Sequence, residues 1–207
     1  MLKDTRLRSI AGSTATSNIF SSSLFAILLL YLYRELGFAP VLIGLIFTVG
    51  STGALVGVVV SSKLASRIGV GPVIIGSALT SGLGTAAYFI VNKSLAITVF
   101  RTEPLWLLGT VQLDMNSLIL MVGSFVTALS VVVYNINQVS LRQAIVPLRL
   151  QGRMNASMRW IVWGTLPAGS LAGGILGAVL GLRPAIGLAV LGGSLAFLWV
   201  LLSPYDR

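Results

Sequence analysis

Residues 40–62 read Pro40-Val-Leu-Ile-Gly-Leu-Ile-Phe-Thr-Val-Gly-Ser-Thr-Gly-Ala-Leu-Val-Gly-Val-Val-Val-Ser-Ser62, a run of 23 residues with no charged side chain. As an α-helix this run rises about 34 Å, enough to cross roughly 30 Å of hydrocarbon. Backbone groups in lipid must be satisfied internally, and a continuous apolar run without period-two alternation reads as a helix and not as a barrel strand. Five further segments, 10–33, 70–91, 118–139, 160–180 and 184–202, also lack Asp, Glu, Lys and Arg. The remainder of the 207 residues is too short and scattered to build a soluble core. With 56% apolar and only 9% charged residues, against roughly 25% charged in soluble domains, the chain is expected to be an all-α membrane protein of six transmembrane helices.

The formal charge of +9 does not point to nucleic acid, because the basic residues lie in short connections between apolar spans. Six spans put both termini on one side. With the N-terminus in the cytoplasm, Lys3, Arg6, Arg8, Lys63, Arg67, Arg142, Arg149, Arg153, Arg159 and Arg207 lie inside, and Arg34, Lys93, Arg101 and Arg183 outside. The excess inside is the bias expected of cytoplasmic loops. The basic opening before the first apolar run has the charge layout of a signal peptide, but the run is long and leads into a second span, so it reads as a retained first helix. The connection 92–117 is expected as a structured external loop holding Lys93, Arg101, Glu103 and Asp114, with apolar pieces at 95–100 and 105–108 too short to span; 140–159 is expected as a cytoplasmic loop.

The chain has no cysteine and no histidine. That removes disulfides, thiolate chemistry, the usual metal ligand and the commonest general base. No phosphate-binding glycine loop, zinc-protease motif or paired-carboxylate arrangement is present, so neither an enzyme nor a resident cofactor is expected.

Polar side chains inside the spans recur at helical spacing. In the first helix Thr14, Asn18, Ser21, Ser22 and Phe25 share a face; in the fourth, Thr127, Ser130, Tyr134, Asn137 and Gln138 do, with Asn135 beside them and Arg142 one turn beyond. An amide facing acyl chains is costly, so both stripes are expected to look into the bundle or a water-filled cavity. No carboxylate lies inside a span. Proton coupling, if it drives transport, therefore needs an acid outside the apolar part of this chain. The second and fifth helices are both glycine-rich, with Gly53 and Gly57, and Gly169, Gly173 and Gly177, at four-residue spacing. Such spacing lets helices approach closely, and its matching place in the two triplets is the pattern of inverted three-helix repeats in secondary transporters.

Two segments resemble a known family. Gly57-Val-Val-Val-Ser-Ser-Lys63-Leu-Ala-Ser66-Arg67-Ile-Gly69 resembles the second-half copy of the helix 2–3 loop signature of the major facilitator superfamily, with Ser66 where the full signature has Asp. Tyr134-Asn-Ile-Asn137-Gln-Val-Ser-Leu-Arg142-Gln-Ala-Ile-Val-Pro147-Leu-Arg-Leu-Gln-Gly152-Arg153-Met-Asn-Ala-Ser is similar to the C-terminal six helices of that superfamily's bacterial efflux branch, which contains enterobactin and macrolide exporters. The resemblance covers residues 6–204. It implies one half of a twelve-helix transporter of the bacterial inner membrane, exporting a drug-like or siderophore-like amphiphile by alternating access, with a separate N-terminal half or a second copy of itself as partner. The candidate substrate-binding residues are then Asn18, Ser22, Tyr134 and Asn137. Lys63, Arg67, Arg142 and Arg153 are candidate cytoplasmic gate or lipid-headgroup contacts, and Trp160 is an interfacial aromatic. The same glycine faces also fit a non-transporting scaffold docked on another membrane protein.

Overall fold

The structure is a computed structural model that describes residues 5–92, 97–101 and 112–202. In chain order it comprises α1 (Thr5–Leu30, continued by one π-helical turn, Tyr31–Glu35), α2 (Pro40–Ile68), α3 (Val70–Ile90), β1 (Thr98–Arg101), β2 (Gln112–Asp114), α4 (Met115–Ile145), α5 (Leu148–Leu180), α6 (Leu182–Ser194) and α7 (Phe197–Leu201). Six segments are long and apolar enough to cross a membrane, the sixth being α6 and α7 together. The chain is a multi-pass membrane protein by length and composition of its helices.

The helices outrun the apolar windows. The segment 140–159, expected as a loop, is the end of α4 and the first three turns of α5, joined only by Val146 and Pro147. Arg142, Arg149, Arg153 and Arg159 end a charge-free window, yet arginine is a good helix former. Proline at 147 is what stops α4, since it disfavours helical backbone at Val146 (ψ 125°). At the other end α4 begins at Met115, inside the expected external loop. Asp114 caps it, accepting from the Ser117 amide at 2.8 Å while Ser117 Oγ accepts from the Asp114 amide at 3.1 Å. The described part of that loop holds a two-stranded antiparallel pair, β1 with β2. Lys3, Lys93, Glu103, Arg207 and the apolar piece 105–108 lie outside the described residues. The sixth span is broken at Leu195 and Ala196, just after the Gly192-Gly193-Ser194 sequence, where Phe20 of α1 packs on Gly192.

Two junctions repeat. Between α2 and α3 the chain turns on Gly69 (φ 87°, ψ 158°), and between α5 and α6 on Gly181 (φ 91°, ψ 162°). Each glycine begins a Gly-x-x-Pro sequence, Gly69–Pro72 and Gly181–Pro184. The positive φ demands glycine. Proline falls in the first turn of the next helix, where its missing N–H costs no helical bond.

Packing follows the same exchange. α4 lies against α2 and α3, α1 lies against α5 and α6, and α3 meets α6. Swapping α1 with α4, α2 with α5 and α3 with α6 maps this set of contacts onto itself. Glycines make the two tightest seams. On α2, Gly50, Gly53 and Gly57 face Ser124, Phe125 and Leu129 of α4; on α5, Gly169, Gly173 and Gly177 face Ile19, Ser23 and Ile27 of α1. A Cβ at Gly57 would lie 2.8 Å from the Leu129 carbonyl oxygen, and one at Gly173 would lie 2.7 Å from Ser23 Cα. Along both seams the residue numbers rise together, so α2 runs parallel to α4 and α5 to α1. Phe89 against Gly187 and Gly82 against Ser194 make α3 antiparallel to α6.

These directions gather Arg8, Lys63, Arg67, Arg142, Arg149, Arg153 and Arg159 at one end of the bundle, the basic end. Glu35, Asp114, Arg34 and Arg183 are at the other. That far end is closed by a buried apolar cluster that includes Leu28, Tyr31, Leu32, Ile46, Leu120 and Ile186. Within it the Tyr31 hydroxyl donates to the Val91 carbonyl at 2.8 Å, tying the π turn of α1 to the end of α3.

Candidate functional site

Between α1 and α4 lies a cavity of about 240 Å³, floored by α3, α6 and the start of α7. Thr14, Asn18, Ser21 and Phe25 line it from α1, and Thr127, Tyr134 and Asn135 from α4. α3 adds Ser77, Ser81, Thr85 and Tyr88, and the α6–α7 stretch adds Gly193 and Phe197. The wall is apolar with neutral hydroxyls and amides; it carries no charged side chain. Thr14 Oγ1 and the Tyr134 hydroxyl are 3.4 Å apart across it. Behind the wall, hydroxyl pairs bind α3 to α4: Tyr88 with Ser124 at 2.9 Å and Thr80 with Ser130 at 2.8 Å.

The four candidate substrate residues part company here. Asn18 and Tyr134 line the cavity. Asn18 Nδ2 also reaches the Val162 carbonyl of α5 at 3.5 Å. Ser22, one position round the helix from Ser21, is buried against Gly169, and its hydroxyl donates to the Asn18 carbonyl at 2.6 Å. Asn137 faces α2, where its Nδ2 donates to Ser61 Oγ at 2.9 Å and to the Val133 carbonyl at 2.8 Å. Its place is the α2–α4 seam. Asn137→Leu is therefore expected to lower stability by about 1 kcal/mol, in the range of interhelical hydrogen bonds in membranes, and to leave cavity binding unchanged. Unfolding in mixed micelles, run beside a ligand titration, checks both parts.

Of the four candidate gate residues, Lys63, Arg67 and Arg153 are exposed at the basic end, whereas Arg142 is buried, with 7% of its surface accessible. Trp160 and Trp163 are exposed on α5 near the same end, as aromatic residues at a lipid interface are. Three enclosed side-chain polar atoms have no hydrogen-bond partner among the described residues: Thr127 Oγ1, Gln138 Oε1 and Arg142 Nε. Among the described residues no group of three or more acidic, His or Cys side chains is placed to hold a metal ion.

The sequence reading missed the floor of the cavity. Ser77, Ser81, Thr85 and Tyr88 recur at four- and three-residue spacing on α3, a stripe of the same kind as those on α1 and α4.

Comparison with protein-family models, with curated proteins and with solved structures finds no match.

Proposed function

We propose that the chain is one six-helix bundle of a membrane transporter, built as two inverted three-helix repeats like a half of a major facilitator, and that it moves a small amphiphilic molecule by alternating access. The observation that carries this reading is the mostly apolar cavity, set with neutral hydroxyls and amides, that α1 and α4, the first helices of the two triplets, wall within a membrane-spanning bundle. Transporters of inverted-repeat construction bind substrate at the interface of their repeats near the membrane midplane. The exchange of contacts between triplets and the paired Gly-x-x-Pro junctions support the repeat. The excess of arginine and lysine at one end supports a cytoplasmic placement of that end, with both termini inside. The efflux direction and a bacterial inner membrane rest on the sequence resemblance.

Alternating access needs a second bundle to rock against, either another half or a second copy. α2 and α5 offer surfaces for it. Gly44, Thr48, Ser51 and Thr52 are exposed on α2, as are Gly164, Ser170, Gly174 and Ala178 on α5. A Cβ at Gly44, Gly164 or Gly174 would meet nothing within 4 Å. Small residues at four-residue spacing suit close helix docking in lipid.

The test is reconstitution of the purified chain in liposomes, alone and with any co-encoded six-helix half, against a panel of amphiphilic drugs and a catecholate siderophore. Flux by a homodimer or by the assembled pair is the expected result. Gly174→Leu should leave the thermal midpoint of the isolated chain unchanged while weakening assembly and flux. A stable monomer without flux in either setting would overturn transport and favour a scaffold that docks through the glycine faces.

A further inference from the structure

The lining of the cavity narrows the class of cargo, an inference that rests on the transport reading above. Among the described residues that form the wall there is no acid and no base. These residues come from the middle turns of their helices, 13–25 of α1, 77–88 of α3 and 127–135 of α4. An ion entering this space leaves its water and gains no counter-charge, which is costly. The closest charge along α4 is Arg142, about 10 Å of helix rise beyond Asn135 and outside the lining. It is permanently positive and adds repulsion for a cation.

The wall's hydrogen-bond complement is unequal. A serine or threonine in a helix donates back to a carbonyl three or four residues earlier and keeps oxygen lone pairs free. Ser21 donates to the Asn18 carbonyl at 3.3 Å, Ser77 to the Val73 carbonyl at 2.7 Å and Thr85 to the Ser81 carbonyl at 2.9 Å. Their protons are thus engaged inside the helices. Asn18 directs Nδ2 to the Val162 carbonyl, and its Oδ1 is neither enclosed nor bonded by a described residue. Asn18, Ser21 and Thr85 all keep accessible surface and line the cavity. Phe20 packs on Gly192, Gly82 on Ser194 and Phe89 on Gly187, contacts that set Ser21 level with Thr85. Ser21 is midway along the span Leu7–Glu35. The acceptors therefore form a belt near the midplane, where inverted-repeat transporters hold their cargo. Rings of Phe20, Tyr88, Tyr134 and Phe197 complete the wall.

We propose that the cavity selects an uncharged aromatic molecule of one or two rings that carries a hydrogen-bond donor, such as a phenol or an aromatic N–H. Its rings lie against the aromatic wall, and its O–H or N–H donates to Asn18 Oδ1 or to the hydroxyl oxygen of Ser21 or Thr85. A guest without a donor strips water from these acceptors and leaves them unpaired, which is the basis of rejection. Volume sets the upper size. An apolar cavity of about 150 Å³ holds one benzene ring, and this one measures about 240 Å³.

The experiment uses the full chain in phosphatidylcholine nanodiscs and titrates four naphthalenes of similar shape, read by their own fluorescence after subtraction of empty discs. They are 2-naphthol, its methyl ether, 2-naphthoate and 2-naphthylmethylammonium. Naphthol is expected to bind at least about tenfold more tightly than the ether, the scale of one hydrogen bond, and more tightly than either ion. Asn18→Leu and Thr85→Val should each narrow the gap between naphthol and ether while leaving the ether's affinity unchanged. Thr85→Val keeps the side-chain shape and gives up only bonds within α3, so it decides even where Asn18→Leu does not fold. Equal or tighter binding of the ether or of either ion, or a gap that survives both substitutions, overturns the assignment of cargo class and leaves the cavity reading intact. Binding of no probe above empty discs, or binding that Ala78→Trp does not reduce, overturns both.

Discussion

Gly53→Val and Gly173→Val are each expected to lower the unfolding free energy by about 3 kcal/mol or more, the upper range for overpacking a close contact. The side chain each would add points at backbone of the facing helix. At Gly53 the obstacle is the carbonyl group of Phe125 in α4, and at Gly173 it is Ser23 of α1. Main chain cannot swing aside as a side-chain tip can, so the two helices must separate, and a seam in lipid has no hydrophobic drive to hold it together once its van der Waals contact is lost. Gly44→Val and Gly174→Val provide the contrast. Both Cβ positions are open, and valine replaces the poorer helix former, so a change within about 0.5 kcal/mol is expected. Unfolding in mixed micelles measures all four. If Gly53→Val and Gly44→Val behaved alike, the close α2–α4 approach would be wrong.

Ala78→Trp is expected to cut flux by the assembled transporter at least about tenfold, the equivalent of some 1.4 kcal/mol lost at a single binding step, with the unfolding midpoint of the chain unchanged. Ala78 lines the cavity from α3, so the indole has open space to enter and displaces cargo instead of disturbing a seam. Its counterpart is Asn137→Leu, which should weaken the fold and spare binding. The pair separates a transport cavity from a packing defect. Flux unaffected by Ala78→Trp would mean that cargo does not pass through this cavity.

Much of this architecture was legible in the sequence, for physical reasons that also mark where legibility ended. Charge-free length found all six spans because bilayer thickness sets the same minimum for each. It could not find the ends. Arg149, Arg153 and Arg159 close an apolar window but continue the helix, and only Pro147 breaks the chain there. Helical spacing grouped Asn18 with Ser22 and Tyr134 with Asn137, since residues three or four apart share a face. A face about 100° wide still touches two neighbours. Ser22 and Asn137 turn to the glycine seams, while Asn18 and Tyr134 turn to the cavity, and that division depends on which helices flank α1 and α4. The glycines told more than the polar residues did. Gly53, Gly57, Gly169, Gly173 and Gly177 do lie where helices meet, whereas Gly44, Gly164 and Gly174 have the same composition and no neighbour. Burial of Arg142 left no mark in the sequence, because a basic residue at a helix end reads as an ordinary topology signal.

The lodging of α1 between α5 and α6 has a consequence for biosynthesis. Asn18 and its neighbour Val162 are 144 residues apart, so at ordinary elongation rates the ribosome works for roughly 7 to 29 s between delivering one and the other. During that interval the serine- and asparagine-bearing face of α1 is in the bilayer without its native cover. α4, by contrast, meets α2 and α3 as soon as it is made. The nascent chain should thus build the α2–α3–α4 unit first and admit α1 last, with the insertion machinery sheltering the first helix in the meantime.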